Sequence, residues 1–74
     1  MATELGEFMR ARRRELELSV YDVASGAGLA TISVAAYEQG LVLPNGPTLE
    51  RLATVLEMDA ETLAQLRLRS KRTP

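Results

Sequence analysis

Residues 19–40, SVYDVASGAGLATISVAAYEQG, leave this chain few ways to fold. They read as two short helices joined by a tight turn. Ser19 is placed to cap the first helix, and Asp22, three residues on, completes a shortened capping box. Val23, Ala24 and Ala27 then recur at helical spacing. Gly26 and Gly28 punctuate the end, where a turning backbone needs positive φ. A second helix is expected over residues 31–39, closed by Gly40.

The flanks carry the same signals. Thr3 is placed to cap a helix whose Leu5, Phe8, Met9 and Leu16 share one apolar face, with the arginines between them pointing outward. That helix should end near Leu16, and Leu18 should tuck into the core. Ala30 stands at the cap position of the third helix and has no side-chain acceptor, while Val34 and Tyr37 should face inward. Residues 41–47, LVLPNGP, read as an uncharged loop. Thr48 is expected to cap a fourth helix that buries Leu49, Leu52, Ala53 and Leu56. Met58 should plug the next connection. Asp59 should cap a fifth helix, with Leu63 and Leu66 inward and Asp59 and Glu61 suited to its dipole.

The residues Leu18-Ser19, Val23-Ala24, Ala27-Gly28-Leu29, Val34, Tyr37-Glu38-Gln39-Gly40, Pro44, Leu49, Leu52-Ala53, Leu56 and Leu63 form an ordered set. It resembles the Cro-like, Xre-type helix-turn-helix family, without a gap from about Leu5 to Leu66. The resemblance implies an all-α, five-helix, lambda-repressor-like domain over residues 1–66, followed by a basic C-terminal tail over residues 67–74. It also implies transcription control by a homodimer, with the third helix in the major groove. Many relatives carry glycine where Glu17 stands, so the left-handed turn there is expected to be strained or rearranged.

Composition narrows the function from the other side. With 74 residues the chain holds one small domain, and its helices must pack efficiently or a partner must help. It contains neither Cys nor His, which removes disulfides, thiolate metal sites and the commonest general base. No paired carboxylates frame a pocket, and Gly26-Ala27-Gly28 is too short for a dinucleotide fingerprint. We expect no catalysis, metal, cofactor or small-molecule substrate. No apolar run approaches the ~20 residues of a membrane span, and the N-terminus lacks the pattern of a secretory signal. A cytoplasmic protein is expected.

The charge pattern sets up a conflict. Net charge is −1, but the basic residues cluster at Arg10, Arg12, Arg13 and Arg14 and again at Arg67, Arg69, Lys71 and Arg72. Between them, residues 15–66 hold one base, Arg51, against eight acids, which leaves −7. Carrying the family pattern over, the DNA-contacting candidates are Arg10, Arg13, Ser19, Thr31, Ser33 and Gln39, and Arg13 is also expected to pair with Glu38. Specific readout ordinarily uses Arg or Lys on guanine and Asn or Gln on adenine. None of these occurs between Gly28 and Glu38. The same surface supports a rival. Val20, Ile32, Ala35, Ala36, Leu41 and Val42 would make a contiguous apolar patch, and such patches mark partner sites. In that reading the chain is a degenerate relative that binds another regulator, as an antiactivator or antirepressor does.

Overall fold

The computed structural model describes residues 3–72; the side chain of Arg72, and Thr73 and Pro74 of the basic stretch, lie outside that description. Five helices follow in order: α1 (Glu4–Glu15), α2 (Val20–Ala27), α3 (Thr31–Gln39), α4 (Gly46–Val55) and α5 (Ala60–Arg72). No strand occurs among the described residues, so the fold is all-α as expected. α1 packs on α3 and α5, α2 packs on α3 and α4, and α4 packs on α5.

The core is aliphatic. Leu5 and Met9 of α1 meet Val23, Ala24 and Ala27 of α2, Val34 of α3, the α4 residues Leu49, Leu52 and Ala53 with Leu56 just beyond, and Leu63 and Leu66 of α5. Leu18, Tyr37 and Met58 pack against it, in the places the apolar spacing assigns them. Phe8 departs from expectation and stays 38% exposed. Leu5 and Met9, four apart, take the inward stripe. The neighbouring buried position is Gly6, where an added Cβ would lie 2.5 Å from the Glu38 carbonyl oxygen and 2.6 Å from that of Tyr37. α1 therefore crosses the end of α3 at backbone distance, and Phe8 is turned aside.

Caps explain most boundaries. The Thr3 hydroxyl accepts from the Gly6 amide at 3.0 Å. Ser19 and Asp22 form the reciprocal box at 2.9 Å in both directions. Asp59 accepts from the Glu61 amide at 3.1 Å. Thr48 is not the α4 cap. Asn45 is, accepting from the Thr48 amide at 2.9 Å, so the helix starts earlier than expected, at Gly46. Pro47 has its φ preset and lacks an N–H that the first turn would leave unpaired anyway, so it starts a helix as readily as it breaks one. Gly26 also differs from expectation. It lies inside α2, with the nearest Val55 methyl 3.1 Å from where its Cβ would be, and Gly28 alone makes the left-handed turn.

Four helices end by one device. A left-handed residue, Glu17 (φ 58), Gly28 (φ 68), Gly40 (φ 78) or Glu57 (φ 54), follows the last turn. The next residue donates its amide to the carbonyl five back: Leu18 to Arg13, Leu29 to Ala24, Leu41 to Ala36 and Met58 to Ala53, at 2.8–3.0 Å. The turn at Glu17 is thus kept rather than rearranged, and Glu57 repeats it. Leu18, Leu29 and Met58 then pack on the core, whereas Leu41 is 70% exposed.

The stretch expected as a basic tail is helical through Arg72. Ser70 is buried there. Its hydroxyl donates to the Leu66 carbonyl at 2.9 Å and accepts from the Leu5 amide at 3.2 Å. One of the unpaired amides at the start of α1 is thereby satisfied from the far end of the chain.

Candidate functional site

The basic cluster of α1 is largely engaged inside the fold. Arg13 forks onto Glu38 at 2.7 and 3.1 Å and donates to the Leu18 carbonyl at 2.9 Å. Glu38 is 3% exposed, so this is a buried pair, and the hydrogen bond to Glu38 raises the Arg13 pKa above its ordinary value. The pair expected from the resemblance is present, and it engages Arg13 within the fold. Arg10 lies 3.5 Å from the same carboxylate, with its side chain 43% exposed. Arg12 donates to the Leu56 and Glu57 carbonyls at 2.9 and 3.0 Å, closing the end of α4 beside its left-handed glutamate. In the second cluster, Arg67 donates to the Pro44 carbonyl at 2.6 Å and Arg69 pairs with Glu4 at 3.3 Å. Arg12, Arg13, Arg67 and Arg69 thus tie separate elements of the bundle together.

The outer face of α3 contrasts with this. Val34 and Glu38 are buried, and Tyr37 is half-buried. Their opposite stripe is Ile32, Ala36 and Gln39, on successive turns. Ile32 is 78% exposed, Thr31 and Gln39 are exposed, and Ser33, Ala35 and Ala36 are half-buried. Leu41, bonded through its amide to Ala36, and Val42 extend the surface, at 70% and 51% exposure. Val20 packs against the core and is only partly exposed. The most exposed apolar side chains here are those of Ile32, Leu41 and Val42, with Ala35 and Ala36 half-buried on the same helix.

The helix starts differ in sign. α1, α2 and α5 carry acids in the first turn, whereas α3 and α4 carry none. Ala30 gives α3 no side-chain cap. Its positive dipole end is thus open, the arrangement that accepts an anion. At Ser19 the opposite holds. The Asp22 carboxylate takes the Ser19 amide, and the bonds from Ser19, its backbone N–H first, hold that carboxyl below its ordinary value. A negative group guards the α2 terminus, which weighs against Ser19 as a phosphate contact.

One functional candidate escapes a reading of the sequence. Arg51, the lone base of the acidic middle, is exposed on α4, and its guanidinium reaches to 3.7 Å from a Cβ built on Gly28, in the turn before α3. Its isolation within the −7 stretch is the signal that could single it out. Among the described residues no group of three or more carboxylates is arranged to hold a metal, and no helix is long and apolar enough to cross a membrane.

A family model described as a helix-turn-helix domain matches residues 4–66. Comparison with curated proteins gives no match.

Proposed function

The chain belongs to the helix-turn-helix domain family, and from that premise we propose that it is a transcription regulator that binds DNA as a homodimer. Two copies would present α3 to successive major-groove faces about 34 Å apart. The observation that carries the reading is the α3 surface: an uncovered outer face behind a helix start that bears no acid and no side-chain cap. Arg51, beside the turn, and the exposed part of Arg10 supply phosphate contacts. Helix-turn-helix domains are typically DNA-binding modules without catalysis, and such a regulator works in the cytoplasm with the chromosome.

A mobility-shift assay at ~50 mM salt against genomic fragments tests this. We expect a shift at micromolar protein, with a shallow salt slope of roughly two to four phosphates per copy. Arg51→Ala should weaken binding evenly across sequences and flatten the slope by about one. Absence of any shift for the unaltered chain would count decisively against the reading.

A second reading rests on Leu41. Three of the four equivalent helix ends pack the residue that follows the turn against the core, and this one leaves it in solvent. Ile32, Leu41 and Val42 would then receive another regulator. Under that reading Leu41→Glu abolishes a protein complex recovered from the native cell while the domain stays folded.

A further inference from the structure

The chemistry of the α3 face restricts which bases it can read, a restriction that rests on the DNA-binding reading of the same surface. The N-terminal turns of a recognition helix are the ones that reach base edges. Here those turns carry Thr31, Ile32, Ser33, Ala35 and Ala36, and the one carboxamide, Gln39, comes in the last turn. Guanine is normally taken by a guanidinium or ammonium on O6 and N7, and adenine by a carboxamide on N6 and N7. Neither group is present where it would be needed. Beside the hydroxyls of Thr31 and Ser33, which pair with either base, this face offers methyl groups, foremost those of Ile32 at 78% exposure, with the methyls of Ala36 one turn on and Ala35 at its flank. The major groove has one apolar base-edge group, the C5-methyl of thymine. The first turn of α3 also lacks an acid, so no carboxylate of that turn opposes an approaching phosphate.

We propose that α3 reads thymine through its C5-methyl group and that Ile32 is the specificity-determining residue. The operator then carries runs of T·A pairs under Ile32 and Ala36, with G·C pairs tolerated outside them. Arg51 and the helix-start amides supply affinity that does not depend on sequence.

The test uses the full chain and a duplex selected by it from a random pool. Each thymine of the selected core is replaced by deoxyuridine, which keeps every hydrogen-bonding group and removes only the methyl. We expect affinity to fall about fourfold for each contacted position, the worth of one buried methyl, with an unchanged salt slope. Deoxyuridine outside the footprint should have no effect. Ile32→Ala should bring the thymine-to-uracil ratio at its position close to one. Equal affinity for the thymine and uracil duplexes, or a selected core fixed by guanines, overturns this proposal and leaves the DNA-binding reading standing. Failure to bind any duplex overturns both.

Discussion

α1 and α3 end with the same hydrogen-bonded turn, yet the two ends are built from opposite materials. At the end of α1 the left-handed residue is a glutamate, which strains the turn; the leucine after it packs on the core, and Arg13 ties the segment to buried Glu38. At the end of α3 the left-handed residue is glycine, which adopts that conformation freely; the leucine after it stands in solvent. The first end is fixed by its surroundings at a local cost. The second is locally relaxed, and the residue that follows its turn is not packed on the core. Strain and cations are thus gathered where the bundle needs tying, and the surface from Thr31 to Val42 is left with few structural duties. Its most exposed apolar side chains are those of Ile32, Leu41 and Val42.

The largest test of that contrast is Arg13→Met. Removing one partner of a buried pair leaves Glu38 with Arg10 alone at 3.5 Å, and we expect a loss of about 3–5 kcal/mol in urea unfolding. Arg14→Met, one residue on and exposed, should stay within about 0.5 kcal/mol. Equal losses would show that the α1 cluster is uniform after all. A reciprocal exchange comes next. Glu17→Gly relieves a left-handed non-glycine and should stabilise by about 0.5–1 kcal/mol, while Gly40→Glu should cost about 1–2 kcal/mol. If both are neutral, the two turns do not differ in strain. The smallest effect concerns pH. Asp22 has a depressed native pKa, so its capping contribution is complete above the ordinary value of 3.8 and is lost as pH falls through the lower native value. An NMR acid titration should show the first α2 amides shifting in that window, and Asp22→Asn should remove the step.

How much of this is legible in the residues depends on the range of the interaction. Helix periodicity and the glycines of two turns are local, and they place α2, α3 and the core leucines correctly. The α4 start escapes because Gly46 and Pro47 suit a loop and a first helical turn equally; the Asn45 side chain decides it. Phe8 is misplaced because nothing in the sequence announces that Gly6 lets α1 touch the α3 backbone. The fate of the arginines is the least readable. A run such as RARRR states how much charge there is, while its partners, the Glu38 carboxylate and the carbonyls of Leu56 and Glu57, lie 25 to 45 residues away. Arg51 is undervalued for the converse reason: it is alone in sequence and near the α2–α3 turn only in space.

The bond from the Leu5 amide to Ser70 spans 65 residues. On a ribosome, the opening helix emerges first and its closing partner much later. The start of α1 must therefore wait, with one amide still facing water, until Ser70 has been released. The bundle closes only once α5 has been made, and a nascent chain stalled before Ser70 would leave the start of α1 open.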